Sequence, residues 1–163
     1  MQLVSNFQST SAKCLFVFLI LNTCFNVQVI GQSTFNGSIF HNGISRDYIL
    51  YVPAIYNKEN PAPLLLCFHG FTSSAENIYN YSNFKSIADT AGFLLVCPQG
   101  TLLNGDTHWN VGGWTLSSTA DDVGFTAALI DSISAEFTIN EKRVYSTGMS
   151  NGGYMSFLLA CEL

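Results

Sequence analysis

Gly148-Met149-Ser150-Asn151-Gly152 has the form G-x-S-x-G, a spacing that sets a serine hydroxyl on a tight strand-to-helix turn. The flanks agree with that context. Arg143-Val144-Tyr145-Ser146-Thr147 reads as a strand running into the motif, and the apolar segment 154–163 reads as a helix running out of it. Glycines on either side of Ser150 relieve the crowding such a turn imposes, and Gly153 lets the helix lie close to the sheet. The chemistry this permits is attack by Ser150 on a carbonyl carbon, with the Asn151 amide facing the developing oxyanion at the helix N-terminus. A phosphate-binding glycine turn is the competing use of such a segment, but neither G-x-x-x-x-G-K-S/T nor G-x-G-x-x-G occurs.

A second oxyanion donor is expected from the loop after an earlier strand. Leu64-Leu65-Leu66-Cys67-Phe68 is a continuous apolar run that ends in His69-Gly70-Phe71-Thr72. Gly70 frees the backbone to turn a following N–H inward, so Phe71 is the candidate donor and Thr72 the alternative. His69, at a strand end, is given no acid–base role.

Serine chemistry also needs a base and a carboxylate that orients it, in the chain order Ser, Asp/Glu, His for this type of turn. After Ser150 the only acidic residue is Glu162 and there is no histidine; His41, His69 and His108 all precede it. Glu162, on the exit helix, reads as surface charge. His108, beside Trp109, could serve as an unconventional base with Asp121 or Asp122, at the cost of inverting the chain order. The expectation is that acid and base lie beyond Leu163 and that residues 1–163 are inactive by themselves. No cluster of metal-ligating residues is legible, so no metal or organic cofactor is expected.

The elements that must position these groups follow from hydrophobic periodicity. Segments 38–40 and 46–52 flank His41-Asn42-Gly43 and read as an antiparallel hairpin ended by Pro53. The runs 64–68 and 93–97 are apolar throughout, as in strands buried on both faces of a parallel sheet. Phe84, Ile87, Ala88 and Ala91 predict a helix over 77–91, and Val123, Ala127, Ile130, Ser134 and Phe137 predict another. Asp121 and Asp122 fall in the first turn of that second helix, where carboxylates complement the macrodipole. Residues 99–118 form a polar, glycine-rich excursion. A leading hairpin followed by alternating strands and helices is an α/β pattern with a mostly parallel sheet.

Seventeen charged side chains in 163 residues, 6 basic and 11 acidic, give a net charge of −5. That balance, with no basic run, excludes the counterion-release term that drives nucleic-acid binding. Residues 1–31 carry one charge, Lys13, followed by the apolar run 14–21 and the small-residue site Val29-Ile30-Gly31. They read as a secretory signal, since the run is too short and broken for a stable membrane anchor. The expected location is extracellular, or periplasmic. Cys14 and Cys24 fall in that segment; Cys67, Cys97 and Cys161 lie in apolar stretches and read as small buried hydrophobes, with a Cys67–Cys97 bridge open if their strands are neighbours. The sequons at Asn36 and Asn80 would accept glycans only in a eukaryotic secretory route.

Several segments together resemble a known family: Arg46, Tyr48 and Leu50-Tyr51-Val52-Pro53; Phe68-His69-Gly70; Trp109-Asn110; Asp121-Asp122-Val123-Gly124-Phe125; and the run from Gly148 to Met155. From about Gly37 to Leu163 they are similar, in order and spacing, to the secreted polyhydroxybutyrate-depolymerase-like and feruloyl-esterase-like branch of the α/β-hydrolases (carbohydrate esterase family 1 type). The resemblance implies an α/β-hydrolase-like sheet truncated after the nucleophile helix, with 32–163 as the N-terminal part of a catalytic domain. It implies a serine esterase forming an acyl-enzyme on Ser150, with Asn151 and Phe71 as oxyanion amides. The substrates implied are ester-bearing polymers or oligosaccharides: feruloyl or acetyl esters of plant polysaccharides, or polyester chains. Members of that group often carry cysteines between Trp-Asn and Asp-Asp-Val; here Val111-Gly112-Gly113-Trp114-Thr115-Leu116 has none, so Trp114 is a candidate to line the site. Trp109 is a second candidate substrate contact, with plain packing the alternative for both tryptophans. Three rival readings stand beside the esterase: a non-catalytic polymer-binding module of the same fold, a gene fragment without a stable fold, and a small-molecule esterase or peptidase.

Overall fold

The computed structural model describes residues 31–163, so the expected signal segment, with Cys14 and Cys24, lies outside the described residues. Two strands open the fold, β1 (Ser33–His41) and β2 (Ile44–Val52), paired antiparallel from Ser33↔Val52 to His41↔Ile44. The hairpin is longer than the periodicity predicts. Its two-residue turn is Asn42-Gly43, with φ of 47° and 86°, the left-handed pair that matches strand twist. β3 (Ala62–Phe68), β4 (Leu94–Pro98) and β7 (Ile139–Gly148) complete a five-stranded sheet in the order β1-β2-β4-β3-β7. β3 runs parallel to both β4 and β7, while β2 is antiparallel to its neighbours. Four of the five strands therefore point one way, and only β2 opposes them.

Alternation along the strands divides the core into two layers. Leu50, Leu64, Leu66, Phe68, Leu94 and Val96 face one side, where helices α3 (Asp122–Glu136) and α4 (Asn151–Glu162) supply Phe125, Leu129, Ile133, Met155 and Leu159. Tyr51, Cys67, Leu95 and Cys97 face the other side, under α1 (Ala75–Ser82) and α2 (Phe84–Ala91). Each fully buried side chain of this size contributes about 1.5–3 kcal/mol of transfer free energy, so the two layers hold the sheet from both faces.

The helix expected over 77–91 is two helices. Ser74 caps α1 by accepting the Asn77 N–H at 3.1 Å, and Asn83, at φ 49°, ends it in the left-handed region. Asparagine tolerates that conformation, and the chain restarts as α2 until Gly92 at φ 72° closes it. Within the polar excursion, β5 (Thr101–Leu103) and β6 (Asp106–His108) form a small separate hairpin about Asn104-Gly105. No helix among the described residues is long and apolar enough to cross a membrane.

Candidate active site

β3 and β7 are adjacent and parallel, and their ladder ends at Phe68↔Gly148. The loops that leave them, 69–73 and 149–150, thus emerge side by side at the same edge. Ser150 has φ 51° and ψ −116°, a conformation non-glycine residues seldom adopt. Held there, its carbonyl accepts the Tyr154 N–H at 3.1 Å and α4 begins at once, aiming its positive end at the serine. The glycines serve close approach more than φ. A Cβ on Gly152 would run into the Phe68 carbonyl and stand 2.6 Å from the His69 carbonyl. A Cβ on Gly148 would strike the Gly152 backbone. The loop after β3 touches the elbow directly, since a Cβ at Gly70 would lie 3.6 Å from the Ser150 Cβ.

Of the two candidate donors on that loop, Thr72 is spent: its N–H donates to the Thr107 carbonyl at 2.9 Å, with φ held at 64°. Ser73 N–H donates to the Gly70 carbonyl, and the Thr107 hydroxyl donates to the Ser73 carbonyl, so β6 clamps the loop. Among the described residues, the amides of Phe71 and Asn151 have no hydrogen-bond acceptor. The Asn151 side chain has a role that sequence reasoning missed. Fully buried, its Oδ1 accepts the Trp109 N–H at 2.7 Å and its Nδ2 donates to the Trp109 carbonyl at 3.1 Å.

Trp109 is placed in the core, not at a substrate surface. It is fully buried, edge-on to Phe68 at 5.0 Å, and donates its indole N–H to the His69 carbonyl at 2.9 Å. Plain packing, and not substrate contact, is thus the role of Trp109, because an indole with one apolar body and one donor finds both partners inside the fold. Trp114 is different. It is 54% exposed on a 3-10 turn (Gly113–Thr115) and stands edge-on to Phe71 at 5.1 Å. On the other flank, Ser73, Asn77, Ile78, Tyr81 and Met149 line a notch of about 140 Å³.

None of the three histidines is bonded to Ser150. His69 is fully buried; its Nε2 accepts the Gly100 N–H at 2.9 Å, and its Nδ1 therefore carries the proton given to the Gly70 carbonyl at 2.8 Å. Burial lowers its pKa below the ordinary 6.5, outweighing the Gly70 hydrogen bond that raises it. His108 is likewise consumed by the Thr101 carbonyl and the Ser118 hydroxyl, and it meets neither Asp121 nor Asp122. Asp121 caps α3 through the Gly124 N–H at 2.9 Å and holds the hairpin through His41 at 3.0 Å; these bonds depress its pKa. Asp122 is buried, bonded to Arg46 at 2.6 Å and to the Asn110 N–H at 2.6 Å. Arg46 also lies 3.9 Å from the Phe125 ring centroid. The quoted segments at 46, 110, 122 and 125 thus meet in one buried support beneath the excursion. Glu162 is exposed at the end of α4.

Residues 46–163 match the family model described as esterase PHB depolymerase. The bifunctional acetylxylan esterase/xylanase XynS20E of Neocallimastix patriciarum is 30% identical over 124 residues, which are 76% of this chain and 17% of that protein. Feruloyl esterase B of Piromyces equi is 31% identical over 118 residues, 72% of this chain and 22% of that protein. The chain therefore spans less than a quarter of the length of either relative. The structure of an acetyl xylan esterase from Aspergillus awamori superposes with a TM-score of 0.65 at 18% identity, covering 78% of this chain and 46% of that one. At that identity the likeness carries the fold, the α/β-hydrolase-like sheet that the family resemblance implies.

Proposed function

The chain belongs to the PHB depolymerase esterase family, and from that premise we propose that it forms the nucleophile-bearing part of a secreted serine carboxylic-ester hydrolase. The substrates proposed are feruloyl or acetyl esters of plant polysaccharides, as the names of its relatives suggest, with polyhydroxyalkanoate polyester as the alternative. Export through residues 1–31 would bring the enzyme to such polymers outside the cell or in the periplasm.

The observation that carries this reading is a strained Ser150 flanked by two unengaged amides, Phe71 and Asn151, on loops that leave adjacent parallel strands. Ser150 Oγ attacks the ester carbonyl, and the carbonyl oxygen gains negative charge between the two N–H groups. A donor placed this way is worth about 3–4 kcal/mol of barrier. The alcohol leaves, an acyl-Ser150 ester remains, and water hydrolyses it. The Phe71–Trp114 edge and the Tyr81–Met149 notch flank the serine as surfaces for the acyl group and the polymer.

Both nitrogens of His69 and His108 are committed and His41 is tied to Asp121; we therefore propose that the base and its carboxylate partner lie outside residues 1–163. The test is acylation of the 163-residue chain by an activated ester, with and without free imidazole. Imidazole should accelerate acylation at Ser150, and Ser150→Ala should abolish it. Acylation that ignores Ser150→Ala would remove the basis for the assignment. Turnover of methyl ferulate, acetylated xylan and hydroxybutyrate oligomers by the full reading frame then ranks the substrates.

A further inference from the structure

β3 and β4 are parallel neighbours in the register Leu64↔Leu94, Leu65↔Leu95, Leu66↔Val96, so the next step of the ladder sets Cys67 beside Cys97. Both side chains lie on the same face of the sheet and in the same apolar layer, beneath Ala75, Ile78 and Tyr79 of α1 and Ala88 of α2. Both are free thiols, buried to 1% and 0% exposure. Neighbouring strands run about 4.8 Å apart, inside the Cα separation of about 4.4–6.8 Å that a disulfide spans. The third cysteine of the described residues, Cys161, is exposed on α4 across the sheet and has no such neighbour.

We propose that Cys67 and Cys97 form an intramolecular disulfide that crosslinks β3 to β4 directly behind the loop bearing the Phe71 amide. The thiols already interact. A hydrogen bond from Cys97 lowers the Cys67 pKa, and the same contact together with burial pushes that of Cys97 up. With the helices undocked both thiols meet solvent, and the thiolate of Cys67 can attack first. It displaces one thiol from a low-molecular-weight disulfide such as oxidised glutathione, forming a mixed disulfide. Cys97 then attacks the Cys67 sulfur and releases the second thiol. Two protein S–H bonds and one S–S bond are consumed, one protein S–S bond and two small-molecule thiols are formed, and the protons leave on those thiols. Because α1 and α2 roof the pair, the exchange precedes their docking, and the finished bond is shielded from reductant. An oxidising compartment is where such a bond persists, and the export signal read over residues 1–31 leads to one.

The experiment is refolding of the full 163-residue chain in an oxidising glutathione buffer, alkylation in denaturant, and tryptic mapping without reduction. Cleavage at Lys58, Lys85 and Lys142 places Cys67 and Cys97 on separate peptides, 59–85 and 86–142, apart from Cys161. The expected result is those two peptides joined and lighter by two hydrogens, with Cys161 alkylated, and the same link in Cys161→Ser. Reduction should lower the melting midpoint by about 5–10 °C. Alkylation of both Cys67 and Cys97, or a scrambled set of links involving Cys14, Cys24 or Cys161, overturns the proposal.

Discussion

Replacing Arg46 tests the buried support under the candidate active-site loops. Its guanidinium is 2.6 Å from Asp122 and donates to the Gln99 carbonyl at 3.3 Å, and both charged side chains are at most 3% exposed. Arg46→Met leaves the Asp122 carboxylate buried with the Asn110 N–H as its remaining side-chain partner. Breaking one member of such a pair costs about 3–5 kcal/mol, against a total stability of about 5–15 kcal/mol for a domain. With a urea slope near 2 kcal/mol/M, the unfolding midpoint should fall by about 2 M. The double variant Arg46→Met/Asp122→Leu removes both charges and strands mainly the Asn110 N–H, a cost of about 1–3 kcal/mol. The packing on Phe125 is lost equally in both variants, so it cancels. The double variant should therefore be the more stable of the two by about 2 kcal/mol. Equilibrium urea unfolding, followed by tryptophan fluorescence, measures both. A single variant costing under about 1 kcal/mol, or a double variant less stable than the single, would refute the argument that an unpaired buried charge dominates.

Ser150→Gly should abolish acylation yet raise stability by about 1 kcal/mol, because glycine adopts φ 51° without strain; a drop in the unfolding midpoint would contradict that. Gly152→Ala should destabilise by about 3 kcal/mol, since the added methyl meets the Phe68 and His69 carbonyls and no flexible side chain can yield; calorimetry reads the lower melting point. Asn151→Ala should cost about 2–4 kcal/mol in urea unfolding by orphaning both backbone groups of Trp109, while leaving the amide at position 151 in place. His69 binds its proton less readily when folded, so its contribution is full above the unfolded value near 6.5 and is lost as pH falls from there toward the lowered folded value. Imidazole NMR should place its titration midpoint below 6.5, and a midpoint at or above that value would mean the Gly100 N–H does not hold Nε2.

Local patterns in the chain were enough to locate the strand-to-helix turn at Ser150, the two fully buried strands and the alternation of strands and helices around them, because each depends on residues a few positions apart. Apolar runs at 64–68 and 93–97 have one stable home, inside a sheet covered on both faces, and β3 and β4 occupy it. The break at Asn83 and the hairpin at Asn104-Gly105 were also written locally, in residues that accept positive φ, but helical periodicity and a polar composition masked them. Distance in the chain hid the rest. Trp109 and Asn151 are 42 residues apart and Arg46 and Asp122 are 76 apart, and nothing in either segment names its partner. Only the fold could decide that Trp109 is a core residue and Trp114 a surface one, since an aromatic in a glycine-rich segment is compatible with both. It was also tertiary packing that spent the Thr72 amide on Thr107 and left Phe71 open, and that closed both nitrogens of His69 and His108 against other partners. The residue types told which chemistry was possible at Ser150; the neighbours brought in from elsewhere in the chain determined which groups were free to perform it.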